Sequence, residues 1–203
     1  MGDSQKNKKM ELCASCGSAR DPELLFSFSP EGRPFCQKCF ATAIEKRMRA
    51  AARTIGISKW KEVRYEDDNS AAAAATAYVL GRMFKDSRKK ITRLKPGKRG
   101  KQGAPCLLPL SIEEAAADGI SFFFGKKGDI SLPPSISSAA TMKELEHLCA
   151  IKMLEFTRRE TISNSFLESI HLKNPHSYNG VMSSILQLSN ADTWRKGTKN
   201  KKS

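Results

Sequence analysis

Four cysteines stand as two pairs, Cys13-Ala-Ser-Cys16 and Cys36-Gln-Lys-Cys39, with nineteen residues between them. A two-residue gap lets both thiolates of a pair turn back on one ion, and two such knuckles complete the closed, four-coordinate sulfur shell of a structural zinc site. Gly17, directly after the first pair, suits the tight turn of a knuckle. The same four sulfurs also suit an iron–sulfur cluster. Four protein ligands leave no open coordination position, so the expected metal is structural and not catalytic. Cys106 and Cys149 stand alone and read as buried thiols. The polar start of the chain has no apolar signal core behind it, and in an unsecreted chain this spacing points to metal before disulfides.

The second candidate chemistry is cationic. Lys and Arg number 35 against 21 Asp and Glu, a net charge of +14 with a pI near 9.7, which favours a polyanionic partner. The cations gather at residues 46–53, 85–101 and 195–202; in 85–101 nine of seventeen residues are Lys or Arg, which marks a candidate phosphate-contacting loop. The candidate nucleic-acid contacts are Lys46, Arg47, Arg49, Arg53, Arg88, Lys89, Lys90, Arg93, Lys98, Arg99 and Lys101. Such contacts release counterions and give salt-dependent binding with little base selectivity, although charge runs are ordinarily solvated faces. Trp60, Tyr65 and Phe84 flank the basic run without a stacking pattern, so base reading on single strands is not indicated.

An autonomous enzyme is the least favoured class. His147, His171 and His176 are scattered, and no Ser or Cys sits in a nucleophile elbow. Glu113-Glu114 and Asp67-Asp68 are adjacent, so on a helix they diverge instead of sharing a site, and they suit helix starts. Gly97-Lys98-Arg99-Gly100-Lys101 lacks both the Walker spacing and a preceding buried strand.

The elements that must position these groups follow from patterning. A chain of 203 residues, 39% apolar and 28% charged, has room for one domain or one plus a small module, and no apolar run long enough to span a membrane. The expected location is cytoplasmic. Residues 1–10 read as a flexible arm, and 11–56 as a four-cysteine zinc module with a basic amphipathic helix from Phe40 to about Ile55. Residues 57–130 hold a helix capped at Asn69 or Ser70 and running through the alanines to Phe84, then a basic loop at 85–101 broken by Pro96, Gly97 and Gly100, then short strands at 107–110 and 120–124. Residues 131–140 read as a Ser/Pro linker, 141–194 as a helical region with helices at 142–159, 162–171 and 178–189, and 195–203 as a basic tail.

Cys13-Ala-Ser-Cys16-Gly-Ser-Ala-Arg20-Asp-Pro22, Arg33-Pro-Phe-Cys36-Gln-Lys-Cys39-Phe40 and the basic helix carrying Lys46, Arg47 and Arg49 together resemble the N-terminus of the cytoplasmic tRNA 2-thiolation protein 2 family. Leu107-Leu108-Pro109-Leu110-Ser111 is similar to the strand and loop that open the family's nucleotide-alpha-hydrolase-like domain, and Thr161 to Ile170 with Ser183 to Leu186 to a late helical stretch. The resemblance implies a noncatalytic, zinc-containing subunit that binds tRNA and a catalytic partner with an intact ATP loop, the sulfur arriving from a ubiquitin-like carrier. Leu110-Ser111-Ile112-Glu113-Glu114 has no Ser-Gly-Gly character, which argues against independent adenylation. Family members are longer, and residues 66–104 match no part of them. The expected fold is therefore α+β or α/β: a zinc-ribbon-like module built on four cysteines, followed by a mainly helical nucleotide-alpha-hydrolase-like domain, whole or truncated. The alternative class is a zinc-ribbon adaptor binding RNA or DNA in ribosome assembly or transcription.

Overall fold

In the computed structural model, which describes residues 10–28, 32–98, 105–125 and 134–158 with 180, 181 and 184, the chain opens on two antiparallel ribbons. β1 (Glu11–Leu12) pairs with β2 (Ala19–Arg20), and β3 (Leu25–Phe26) pairs with β4 (Phe35–Cys36). Ribbons this short do not stand alone in water. They lean on α1 (Gln37–Ile55), whose Phe40, Ala41, Ile44, Met48 and Ala52 recur at helical spacing and are buried. Phe26 and Phe28 stack on Phe40 at 5.1 and 4.7 Å between ring centroids, tying the ribbons to the helix. Gly56 ends α1 at φ 74°, its N–H closing on the carbonyls of Ala52 and Arg53 in a conformation that a side chain would strain.

Val63 and Tyr65 alternate with half-buried Glu62, Arg64 and Glu66, and this period of two forms β5 (Glu62–Glu66). β5 leads through α2 (Ala71–Met83) to β6 (Lys90–Leu94), which lies parallel to it with Val63 opposite Ile91. β7 (Cys106–Leu107) joins the other edge of β5, also parallel, so the strand order is β6-β5-β7. The Ser70 hydroxyl caps α2 by accepting from the Ala73 N–H at 3.2 Å. α3 (Ile112–Gly125) opens on a reciprocal cap between Ser111 and Glu114, and α4 (Met142–Lys152) on the same device between Thr141 and Glu144. Ile44 and Met48 of α1, Val63, Val79, Leu80, Leu145 and Leu148 meet in one apolar core, where each large side chain contributes about 1.5–3 kcal/mol. Among the described residues no helix is long and apolar enough to cross a membrane.

The fold is thus mixed α/β, with a four-cysteine module at its start. Four local expectations are corrected. Residues 90–94 are a strand and not irregular loop, because Ile91 and Thr92 are β-branched and pair with β5 while the charged neighbours face outward. Ile120 and its neighbours belong to α3 and not to a strand; a short apolar run has no period of its own, and the Ser111 cap sets the helix going. Within the expected linker, residues 134–140 are packed: Ile136 and Ser137 are fully buried, and the Ser135 hydroxyl donates to the Leu110 carbonyl at 3.1 Å. α4 stops at Lys152, where Met153 turns left-handed at φ 53°, so Leu154 and Phe156 pack against the core from beyond the helix. Residues 1–9 of the expected arm at 1–10, the helix at 162–171 and the basic tail lie outside the described residues; of the helix at 178–189, residues 180, 181 and 184 are described and helical.

Candidate metal centre and strand-end loop

The two ribbons bring Cys13, Cys16, Cys36 and Cys39 together, all four Sγ atoms lying within 4.8 Å of one another. Around the first pair, Gly17 takes φ 68° and its N–H bonds the Cys13 carbonyl at 2.9 Å, which folds the loop back over the sulfurs. Cys36 and Cys39 sit where β4 passes into α1. The Cys36 N–H donates to Cys13 Sγ at 3.3 Å, and this bond pulls the Cys13 thiol down to about 6. The Ser18 hydroxyl holds Cys16 below the usual thiol range. Cys39 is the counterweight: Ser15 lowers it, but burial and the three neighbouring sulfurs prevail and push it up to about 11. A sulfur cage in which some thiols ionise early and one resists is what a cation relieves.

The carboxyl end of the central strand is the other place where this architecture does chemistry. In open α/β sheets ligands sit beyond the strand ends, at the point where strand order reverses, here between β5 and β7. The loop that follows β5 is Asp67-Asp68-Asn69-Ser70, with Asn69 left-handed at φ 61°. It is bonded to itself and to its neighbours. Asp67 accepts from the Asn69 N–H at 2.8 Å and Asp68 from the Ser70 N–H at 3.0 Å. Arg93, at the end of β6, pairs with Asp67 at 2.6 Å and donates to Asn69 Oδ1 at 3.1 Å. The Asn69 carbonyl accepts from the Thr157 N–H at 2.7 Å, so the chain after α4 runs across the mouth. On the other lip the Leu108 N–H donates to the Pro134 carbonyl at 2.9 Å. The family resemblance implies an opening strand at Leu107, but that segment is the third strand of the sheet in chain order; β5 is the first, and residues 66–104, which match no part of that family, hold α2 and β6 of its βαβ unit. The alternation of Val63 and Tyr65 just before the Ser70 cap was the signal for this unit.

The cations sort by partner. Arg47 pairs with Glu144 at 2.8 Å and lies over the Phe28 ring, while Arg49 pairs with buried Glu45. Lys89 donates to the carbonyls of Ile57, Ser58 and Trp60 at 3.3, 2.5 and 2.9 Å, and Lys90 pairs with Glu62. These residues and Arg93 have intramolecular partners that composition could not reveal. Lys46, Arg53, Arg88 and Lys98 are exposed and make no ion pair among the described residues; Arg99 and Lys101 lie outside those residues. The adjacent acids serve helix starts, as expected: Glu114 caps α3, and Glu113, raised above the carboxylate range by burial, accepts from the Met142 N–H. His147 packs edge-on against Phe26, and burial lowers it. Cys149 is buried, with its thiol on the Ala71 carbonyl.

No protein-family profile matches the sequence, and no curated protein matches it at a significant level. Among solved structures, the chain is similar in fold to the U34-tRNA thiolase NcsA from Methanococcus maripaludis, a structure described with its [4Fe-4S] cluster. The TM-score is 0.65 and the identity 9%, over 88% of this chain and 87% of that one.

Proposed function

We propose that this chain is a noncatalytic subunit of a complex that 2-thiolates the wobble uridine of cytoplasmic tRNAs, and that it contributes tRNA and partner binding. The observation that carries the reading is an α/β fold like that of a U34-tRNA thiolase, over 88% of the chain, whose strand-end loop is acidic and internally bonded where a ligand's phosphates would approach. Phosphate needs unpaired backbone N–H groups and close approach to the chain. Asp67 and Asp68 supply neither. In this reading the catalytic partner carries the intact ATP loop that activates the uridine oxygen, and sulfur arrives from a ubiquitin-like carrier.

The four-cysteine cage holds zinc in a structural role. A tetrahedron with metal–sulfur bonds of about 2.3 Å has sulfur–sulfur edges of about 3.8 Å. Cys16 and Cys36 stand 3.9 Å apart and all four sulfurs lie within 4.8 Å of one another, which is nearer to the shell of one ion. A [4Fe-4S] cluster spreads its thiolates over four irons and needs a wider cage.

The test is the mobility of wobble-position tRNAs on a mercury-containing gel, from cells with and without this chain. Loss of the retarded, thiolated band is the expected result. An unchanged band would replace this reading with that of a zinc-ribbon RNA-binding adaptor.

A further inference from the structure

The cations of α1 form two sets. Arg47 and Arg49 are half-buried and held by Glu144 and Glu45. Lys38, Lys46 and Arg53 are exposed and make no ion pair among the described residues. At 100° per residue, steps of eight and seven place these three within an arc of about 80°, about 11 Å apart along the axis. Thr42, exposed and short, stands between Lys38 and Lys46, and Ala50, also exposed and short, borders the arc, so both leave room for close approach. The helix's one carboxylate, Glu45, is 7% exposed and turned inward onto Tyr78, Arg82 and Lys152. The outward face of α1 is therefore uniformly positive.

We infer that this face, through Lys38, Lys46 and Arg53, is a docking surface for RNA backbone phosphate. Protein interfaces are built around an apolar core, and none of the exposed large apolar residues, Met10, Leu12, Leu24 and Met153, lies on α1. Phosphate contact needs cations at intervals and no apolar anchor. The inference rests on the tRNA-binding role proposed above and narrows it to one face.

The experiment is filter binding of an unmodified tRNA transcript to the full chain across a salt series. It compares wild type with Lys46→Glu/Arg53→Glu and with Lys59→Glu/Lys61→Glu, which makes the same charge change at exposed positions outside the candidate contacts. The α1 variant is expected to lose affinity by about tenfold or more and to flatten the log–log salt dependence by about 2, while the second variant loses less. Equal losses in the two variants would mean that total charge matters and the face does not. Unchanged binding by the α1 variant, with wild type binding well, would overturn the assignment of the face and leave the tRNA role standing. A wild-type chain that does not bind tRNA would overturn both. Circular dichroism and zinc content verify folding, and if charge reversal disturbs it, Lys46→Gln/Arg53→Gln carries the same comparison of slopes.

Discussion

At Cys36 the thiol forms one corner of the sulfur cage while the backbone N–H donates to Cys13 Sγ at 3.3 Å. Cys36→Ser keeps that N–H but replaces a soft thiolate with a hydroxyl that stays protonated at neutral pH, so the shell loses a quarter of its donors and much of its charge. The ribbons β1–β2 and β3–β4 have two paired residues per strand, and binding energy in such modules is folding energy. The variant is therefore expected to purify without zinc and to lose the near-ultraviolet signal of the Phe26, Phe28 and Phe40 cluster, whereas Cys106→Ser retains both. Metal analysis by plasma mass spectrometry decides the matter; full zinc occupancy in Cys36→Ser would remove Cys36 from the ligand set.

Lys89 shows how an element can depend on a residue that patterning assigns elsewhere. Its ammonium gathers three carbonyls of the turn after α1 and lies 5.1 Å from the centroid of the Phe84 ring, joining the end of the first helix to the end of the second. Hydrogen bonds to a charged group are worth more than neutral ones, and partial exposure of this site discounts them, so Lys89→Met is expected to cost about 1–3 kcal/mol. Urea unfolding should show a lower midpoint at unchanged slope. A midpoint that does not move would mean that water serves those carbonyls equally well. The four cysteines, the helices α1 and α2 and the Ser70 cap were legible because spacing and periodicity are local properties. β6 was hidden by its own charges, which an edge strand carries to discourage further pairing. The packed segment 134–140 was hidden because Ser and Pro suggest solvent, yet Ser135 and Ser137 bond each other and the Leu110 carbonyl, which permits their burial. Partnership of cations with distant acids, such as Arg47 with Glu144, is invisible to composition.

For the molecule as a whole, the strand order β6-β5-β7 fixes where a ligand would enter, and the residues there decide whether one does. A nucleotide brings several negative charges to a mouth that already carries Asp67 and Asp68. The cation beside it, Arg93, is bound to Asp67 and Asn69, and the Asn69 carbonyl is taken by Thr157. Near the start of α2, the Ser70 and Ala73 N–H groups are bonded to Asp68 and to the Ser70 hydroxyl. The isolated chain is therefore expected to give no binding heat with millimolar ATP and no tRNA-dependent exchange of pyrophosphate into ATP. Arg93→Ala separates two accounts of that silence. If the ion pair merely occupied a working site, its removal would open the loop and reveal binding. If the loop's own charge is the obstacle, freeing Asp67 makes the mouth more negative and binding stays absent, which is the outcome expected. ATP turnover by the wild-type chain alone would overturn the noncatalytic role even where the thiolated band is lost without this chain, because adenylation would then need no partner.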